Sequence, residues 1–238
     1  MPEIDFSLLL PTRHRLVSLA RLLKSIVATT HNPGTIEVVL YIDEDDKESQ
    51  GISEPGLSLI KLISSRETMG KMTNITYEAS RGRFIMLMND DVIFRTAEWD
   101  IRVRQSLKPF NDEIIFVSGN DLYQRGGVGT FPILSRTACK LMGGICPREY
   151  KYSHIDTHLY DIFKKLASLG YNRFVYLPGV IFEHMHYEVG KSTMDEIYRA
   201  KDPRADELLY IAWEEERRWI ATRLAQYISR WHEISSLK

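Results

Sequence analysis

Two adjacent carboxylates, Asp90 and Asp91, come one residue after an apolar run in the stretch LMNDDVIF, residues 87–94. The run at 84–88 has the composition of a buried strand, so both charges stand at the end of an element that packs in the core. Carboxylate oxygens are good ligands for a divalent cation, which neutralises a bound diphosphate and stabilises it as a leaving group. One aspartate could therefore hold a metal while its neighbour hydrogen-bonds a ribose. The alternative is that the pair only caps a helix or closes a turn.

The elements that must position these carboxylates alternate along the chain between β-rich apolar runs and stretches with helical periodicity. Strands are predicted at 4–10, 37–42, 57–64, 84–88 and 114–118, and helices at 16–27, 70–80 and 97–107. This alternation favours an α/β fold with a mostly parallel sheet, in which ligands bind beyond the carboxyl ends of the strands. The polar sequences PTRHR, DEDD and NDD each follow a strand, so all three are expected at one edge of the sheet.

The second half of the chain has a less regular pattern. A helix is predicted at 152–170, followed by two short apolar segments on either side of Pro178. From Pro203 onward, apolar residues recur at helical spacing and predict one long helix. We therefore predict an α/β domain over residues 1–200 and a C-terminal helix over residues 201–238.

The composition excludes several classes of protein. With 44% hydrophobic and 26% charged residues among 238, the chain has the make-up of a globular protein with a substantial core. The formal net charge of -1 argues against a broad nucleic-acid-binding surface. Cys139 and Cys146 form neither a disulfide framework nor a common metal pair, which favours a reduced, cytoplasmic protein. No apolar run approaches the ~18 residues of a transmembrane helix. A nicotinamide dehydrogenase carries a G-x-G-x-x-G motif after its first strand, and this chain has none there.

Four stretches within residues 4–100 occur in an order that resembles the GT-A glycosyltransferases, especially family 2. They are LLLPTRHRLVSLARLLKSI, YIDEDD, TMGKMTNITYEAS and IMLMNDDVIF. Downstream, HIDTH and FEHMHYEVGKSTMDEIY are similar to a group of uncharacterised bacterial and phage proteins that are themselves predicted glycosyltransferases. The resemblance implies a GT-A fold, a mixed α/β sheet flanked by helices, with a nucleotide-sugar site at the sheet edge.

The resemblance also implies which residues contact a nucleotide-sugar donor. The predicted donor contacts are Pro11, Thr12, Arg13, Asp43, Gly70, Lys71, Asn89, Asp90 and Lys191. Asn89 departs from the pattern, because many members of the family have aspartate there. The departure leaves Asp91 as the metal ligand, with Asp90 supporting the ribose or the metal. For Arg13 the alternative is a surface charge, and for Lys191 it is a solvated lysine on a loop.

Two histidines complete the predicted metal site. His184 and His186 are two residues apart, so on an extended segment their side chains point to the same side. The resemblance implies a late histidine ligand, and imidazole tolerates Mn²⁺ although carboxylate suits it better. We predict a Mn²⁺ or Mg²⁺ site formed by Asp91, His184 and His186, with His184 as the favoured histidine. The alternative is a pair of ordinary surface or core histidines.

The resemblance places an acidic catalytic residue at the start of a helix before the last strands, and Asp156 in SHIDTH occupies that place. An inverting transfer needs a carboxylate there to remove the proton of the attacking hydroxyl. The Glu-Asp pair typical of the family is absent, and the alternative is that Asp156 caps the helix. His154 and His158 have the spacing of a zinc pair, but Ile155 replaces the glutamate of H-E-x-x-H.

These observations predict a metal-dependent glycosyltransferase that transfers a sugar from a UDP- or GDP-sugar to an acceptor hydroxyl, with inversion. The acceptor could be a glycan, a lipid or a small molecule, and the C-terminal helix is expected to pack on the catalytic domain or to form a homodimer. Two alternatives remain. One is a non-catalytic sugar-nucleotide-binding protein on a GT-A fold. The other is a nucleotidyltransferase, which would carry a glycine-rich loop where PTRHR has no glycine.

Overall fold

A computed structural model describes residues 3–193 and 202–237. The strands in those residues are β1 (Phe6–Thr12), β2 (Ile36–Asp43), β3 (Ser58–Ser64), β4 (Phe84–Leu87), β5 (Val92–Phe94), β6 (Phe116–Asn120), β7 (Ile133–Ser135) and β8 (Phe174–His184). The α-helices are α1 (Leu16–Thr29), α2 (Lys47–Gln50), α3 (Met69–Ala79), α4 (Trp99–Leu107), α5 (Arg136–Met142), α6 (Ile155–Ser168), α7 (Pro203–Ala212) and α8 (Glu214–Ser235). Short 3-10 turns occur at Pro33–Thr35 and Tyr187–Val189.

The described strands form one mixed sheet in the order β3-β2-β1-β4-β7-β6-β8-β5. Strands β3, β2, β1 and β4 run parallel to one another, whereas β7 is antiparallel to both β4 and β6. Strand β8 pairs parallel with β6 and antiparallel with β5. The carboxyl ends of β1, β2 and β4 therefore meet at one edge of the sheet, which confirms the placement expected for PTRHR, DEDD and NDD.

Strand β1 continues through Pro11, although the proline was expected to end it. Proline lacks the N–H that a central strand donates to its neighbour, so it is tolerated where a strand has an open side. The pairing of β1 with β4 ends at Leu9 and Leu87, while Pro11 stays paired with Tyr41 of β2. Pro11 thus lies where β1 has lost one neighbour.

Apolar side chains form one hydrophobic cluster on each face of the sheet. On one face, Leu8 and Leu10 of β1 pack with α1 and with Trp99, which is fully buried. On the other face, Leu9 belongs to a cluster that includes helices α5, α6 and α8. Because successive side chains of a strand point to opposite faces, the short run LLL contributes to both layers.

The C-terminal residues form two helices rather than the single helix predicted from Pro203 onward. Helix α7 ends at Ala212 and α8 begins at Glu214. Beside the break, the guanidinium of Arg217 donates to the carbonyl oxygen of Tyr210 at 2.5 Å. In a continuous helix this carbonyl would instead accept from a backbone N–H four residues further on. Helix α8 packs against α5 and α6, and its apolar stripe joins the second cluster.

Helix α6 and strand β8 also differ from the sequence expectation. Helix α6 begins at Ile155 rather than at 152, because His154 has a left-handed backbone with φ of 67°. The two segments around Pro178 form one strand, β8, whose register with β6 shifts so that residues 178–180 bulge between paired positions. The predicted domain boundary at 200 lies outside the described residues, as does the end of the FEHMHYEVGKSTMDEIY run. Within 3–193 and 202–237, no helix combines the length and apolarity needed to cross a bilayer.

Candidate active site

A cleft of about 300 Å³ opens at the carboxyl ends of β1, β2 and β4. This is the position at which open α/β sheets bind their ligands. The predicted site residues that line it are Pro11, Thr12, Arg13, Asp43, Asn89, Asp90, Asp156, His184 and His186. The tertiary structure thus joins the strand-end residues of the first half with an acid and two histidines from the second half.

Asp90 is buried at the cleft and is held by two side chains near the end of β1. Thr12 Oγ1 donates to its Oδ2 at 2.8 Å, and Arg15 Nη1 donates to its Oδ1 at 3.0 Å. Burial raises the pKa of Asp90 to about 6, although Arg15 opposes the change; the charge of Asp91 acts in the same direction as burial. A cation bound nearby would relieve both the desolvation and the repulsion between the two carboxylates.

Asp91 and His184 meet because β5 pairs antiparallel with β8. The register sets Val92 opposite His184, and the N–H of Met185 donates to the carbonyl oxygen of Asp91 at 2.7 Å. His184 Nε2 lies 3.4 Å from Asp91 Oδ1. The His184 side chain is buried, and neither of its ring nitrogens makes a hydrogen bond within the described part of the chain. The pair can offer an imidazole nitrogen and a carboxylate oxygen to a common ligand.

His186 lines the same cleft in a different environment. Its ring stacks on Tyr123 with a centroid distance of 5.3 Å and an interplanar angle of 13°. Its Nδ1 accepts a hydrogen bond from the N–H of Glu188 at 3.3 Å, which caps the short turn at Tyr187–Val189. Of the two predicted histidine ligands, His184 is the one whose ring lies beside Asp91.

Asp156 lies in the first turn of α6 and lines the cleft. The N-cap position belongs to His154, and Asp156 Oδ1 accepts from the N–H of Thr157 at 2.8 Å. Burial raises the pKa of Asp156, while the Thr157 N–H and the charges of His154 and His184 act against that rise. A carboxyl with a raised pKa holds a proton more readily, which suits a general base.

Arg13 links the ends of β1 and β2 beside the cleft. Its guanidinium donates to Asp43 at 2.5 Å and to Asp45 at 2.7 Å. The N–H of His14 donates to Asp46 at 2.7 Å, so the turn after β1 and the acidic run after β2 hold each other in place. Asp43 is buried with its side chain at the cleft, whereas Asp45 is exposed.

Gly70 lies at the start of α3, where the chain passes very close to the loop before α6. Its N–H donates to the carbonyl oxygen of Tyr150 at 2.8 Å, and a Cβ added at Gly70 would lie 2.2 Å from the carbonyl oxygen of Pro147. Close packing of two backbones therefore accounts for a glycine here. Its predicted contact with a donor stays a prediction.

Lys71, Asp91 and Lys191 lie beside the cleft rather than among the described residues that line it. Lys71 Nζ is 2.6 Å from Glu67, a residue of the lining, and Lys191 Nζ is 2.8 Å from Glu183 of β8. Each lysine is thus held by a carboxylate, Lys71 by Glu67 of the cleft lining and Lys191 by Glu183, which does not line the cleft. Their contacts with a diphosphate remain predictions.

Two of the cleft residues, Arg66 and Lys151, lie outside every motif that sequence analysis recognised. Arg66 follows β3 at the same edge as PTRHR and DEDD, so the strand-end argument could have identified it. Lys151 and Ser153 belong to a loop that is distant in sequence from these strands, and only the tertiary structure brings it to the cleft.

The residues present fit a divalent cation that is shared with a bound ligand. Within the described ranges, no group of three or more His, Cys, Asp or Glu side chains is arranged to hold a metal alone. Mg²⁺-type sites commonly use one or two protein ligands and complete their coordination with substrate phosphates and water. Asp91 and the buried His184, whose ring nitrogens lack hydrogen-bond partners in the described chain, match that pattern.

No protein-family model matches the chain, and no curated protein matches its sequence. Solved structures do match its fold. The mannosyltransferase PcManGT from Pyrobaculum calidifontis, in complex with GDP-Man and Mn²⁺, has a TM-score of 0.65 at 16% identity, covering 95% of this chain and 70% of that one. S. aureus TarS in complex with UDP-GlcNAc has a TM-score of 0.61 at 17% identity, covering 84% and 62%. Glucosyl-3-phosphoglycerate synthase from Mycobacterium tuberculosis, in complex with Mn²⁺, UDP and phosphoglyceric acid, has a TM-score of 0.52 at 14% identity, covering 79% and 74%.

These similarities, with the mixed sheet and the position of the cleft, define the class of fold. The chain has the GT-A fold, which confirms the architecture implied by the sequence motifs. A structure of TarS residues 1–349 matches 75% of this chain, and this chain spans 59% of the length of that structure.

Proposed function

We propose that this protein is a metal-dependent glycosyltransferase that transfers a sugar from a nucleotide diphosphate to an acceptor hydroxyl. One observation carries the proposal. In this GT-A fold, one cleft at the strand ends is lined by Asp90, Asp156 and His184. His184 also contacts Asp91, which lies beside the cleft. The residues proposed for the donor, the cation and the base are thus adjacent.

The donor nucleotide would lie over the ends of β1 and β2. Asp43 and Asp90 are acceptors suited to base or ribose groups, and Arg15 and Arg66 bring positive charge to the same lining. The structural neighbours carry GDP-Man or UDP-GlcNAc, so a UDP- or GDP-sugar is the donor class to test first.

Asp91 and His184 would hold the divalent cation, Mn²⁺ or Mg²⁺. The bound cation supplies charge neutralisation for the diphosphate that leaves. The approach of these two groups depends on β5–β8 pairing, which fixes the Asp91 backbone at Met185. This pairing supports the proposal, because it would hold both groups in place before any donor binds.

Asp156 would act as the general base of an inverting transfer. The acceptor oxygen attacks the anomeric carbon, its proton passes to Asp156, and the bond from that carbon to the diphosphate breaks with its electron pair on the departing oxygen. The raised pKa of Asp156 suits the acceptance of that proton. The acceptor, the cytoplasmic location and a homodimer remain predictions.

A thermal-shift panel tests the donor and cation sites. UDP, GDP, CMP and dTDP are each added with and without Mn²⁺ to wild type, to Asp91→Ala and to Glu233→Ala, an exposed acid on α8 that serves as the matched control. A ligand at 100 times its Kd stabilises by about 2.7 kcal/mol, which corresponds to roughly 5–10 °C for a chain of this size. We expect a Mn²⁺-dependent shift with UDP or GDP that is lost only in Asp91→Ala. Absence of any shift in wild type would count against a donor site, and a shift independent of Mn²⁺ would count against the cation.

A further inference from the structure

Asp206 is a buried carboxylate on helix α7, outside the cleft, with 1% of its surface exposed. It accepts hydrogen bonds from three consecutive backbone N–H groups, those of Lys151 at 2.9 Å, Tyr152 at 2.8 Å and Ser153 at 2.9 Å. The hydroxyl of Ser153 donates to it as well, at 3.3 Å. Hydrogen bonds to an ionised acceptor are stronger than neutral ones, so one side chain holds this loop firmly.

The other side of the same loop is held by the start of α3. The N–H groups of Met69 and Gly70 donate to the carbonyl oxygens of Lys151 at 3.2 Å and Tyr150 at 2.8 Å. The loop therefore presents carbonyls to α3 and N–H groups to Asp206, so both kinds of backbone polar group are satisfied by the elements on either side.

The clamped loop leads directly to the candidate base. Lys151 and Ser153 line the cleft, His154 follows with a left-handed backbone, and Asp156 lies in the next turn. A non-glycine residue keeps such a conformation only where its surroundings determine it strongly. Because two residues separate Ser153 from Asp156, a displacement of the loop would displace the carboxyl that faces the acceptor.

We propose that Asp206 is a positioning residue of the active site: it holds residues 151–153 and thereby sets the position of Asp156 in the cleft. The inference rests on the proposed function, and it assigns the C-terminal helices a part in catalysis in addition to their packing on α5 and α6. Asp206 itself does not line the cleft, so its effect on turnover acts through the loop.

Asp206→Asn tests this role with little change in shape. An amide has one acceptor oxygen and one donor group, so it cannot accept N–H bonds on both sides as the carboxylate does. Glu207→Gln is the matched control, because Glu207 is the next residue on the same helix, carries the same charge and is exposed. Both variants are compared with wild type at temperatures well below their melting points.

Three readouts separate positioning from general destabilisation. Hydrogen–deuterium exchange should speed up at residues 151–153 in Asp206→Asn and stay at the wild-type rate in Glu207→Gln. The kcat for release of UDP or GDP from UDP-GlcNAc or GDP-mannose with Mn²⁺ should fall by about 10- to 100-fold in Asp206→Asn. The Kd for the nucleotide should stay within about twofold, because loss of a positioned group lowers kcat rather than donor binding.

Three results would overturn the inference. Unchanged exchange at 151–153 would show that Asp206 does not hold the loop. Faster exchange with an unchanged kcat would show that the loop does not position the reacting group. A wild type that turns over neither donor would remove the proposed function, and with it any catalytic role for Asp206, while the exchange data would still report whether the clamp exists.

Discussion

The two edges of the parallel strands carry carboxylates in opposite situations. Glu37, at the start of β2, is fully buried and accepts hydrogen bonds from Ser7 Oγ at 2.6 Å and from the N–H of Arg81 at 2.6 Å. The Arg81 guanidinium donates to its second oxygen at 3.1 and 3.0 Å. Every oxygen of Glu37 is thus satisfied by the protein, and the side chain joins β1, β2 and the turn before β4.

The cleft edge is built differently. Asp90 is held by Thr12 and Arg15, but it is followed by a second buried carboxylate, Asp91, whose neighbour His184 has ring nitrogens without hydrogen-bond partners in the described chain. Two adjacent buried carboxylates lower the stability of the fold through desolvation and mutual repulsion unless a cation is bound close to both. The comparison teaches that burial alone does not mark a functional carboxylate. What distinguishes the cleft edge is a pair of adjacent buried carboxylates beside an imidazole whose nitrogens have no hydrogen-bond partner in the described chain.

Asp156→Asn is the change with the largest expected effect at the cleft edge. Removal of a general base should lower kcat for UDP or GDP release by about 10²- to 10⁴-fold, while the Kd for the nucleotide stays close to that of wild type. Asp161→Asn is the control on the same helix, since Asp161 is paired with Arg217 at 2.6 Å and Lys165 at 2.8 Å rather than facing the cleft. Steady-state kinetics beside nucleotide binding measure both quantities. Full turnover in Asp156→Asn would make the base assignment wrong.

Glu37→Gln and Asp90→Asn test the contrast between the edges directly. Glutamine at 37 would set its NH₂ against N–H or O–H donors, so we expect a loss of about 2–3 kcal/mol in the free energy of unfolding. Asparagine at 90 can still accept from Arg15 and donate to Thr12, and it removes one of two like charges, so its stability should stay within about 0.5 kcal/mol of wild type. Urea unfolding measures both.

Donor binding should show the reverse order. We expect Asp90→Asn to weaken the Mn²⁺-dependent nucleotide shift and Glu37→Gln to retain it at temperatures where that variant is folded. If Asp90→Asn lost as much stability as Glu37→Gln and bound nucleotide normally, the cleft-edge aspartate would be structural as well, and the contrast would not hold.

Gly70→Ala sharpens the comparison at the border of the cleft. A Cβ at position 70 would lie 2.2 Å from the Pro147 carbonyl oxygen, so the two backbones must separate at a cost of about 1–3 kcal/mol. Gly51→Ala is the control, because its Cβ would lie 3.7 Å from the nearest atom, the Glu48 carbonyl oxygen. Thermal and urea unfolding should show a loss only for Gly70→Ala. Equal stability of the two variants would contradict a packing role for Gly70.

A pH-dependent effect concerns His158, which lies two residues from Asp156 but is buried in the core. Burial lowers the pKa of His158 to about 3, and the charge of Arg217 adds to this, while Asp161 opposes it. The unfolded chain binds a proton at His158 near pH 6.5, so the folded state loses stability as pH falls from about 6.5 toward 3, by up to about 1.4 kcal/mol per pH unit. His158→Gln should therefore show a flatter dependence of unfolding free energy on pH between 7 and 4.5 than wild type. Parallel curves would show that His158 is not buried in its neutral form.

The regular half of the fold could be predicted because its determinants are local. The runs at 37–42 and 84–88 are β2 and β4 with small changes at their ends, and the helix predicted at 70–80 is α3 at Met69–Ala79. Polar residues directly after parallel strands must share an edge, so the cleft position of Asp43 and Asp90 followed from the same pattern.

The other half depends on contacts that no local pattern encodes. The meeting of Asp91 with His184 requires β5 to pair with β8, which lies about ninety positions further along the chain. The start of α6 depends on the left-handed His154, and the break between α7 and α8 coincides with a bond from Arg217 to the Tyr210 carbonyl. Side-chain and backbone choices of this kind are decided by neighbours in space, so periodicity could not predict them.

By itself, the sequence determined the α/β class, the parallel edge that gathers PTRHR, DEDD and NDD, and the acids and histidines with the chemistry of a donor and cation site. Those features follow from strand composition and from the direction of parallel strands, which are properties of short stretches. Only the tertiary structure decided which histidine lies beside Asp91, that Gly70 packs against a loop, and that Asp206 of the last helices holds the segment before Asp156. Each of these depends on a hydrogen bond or a close approach between segments distant in sequence, and such contacts exist only after the chain has folded.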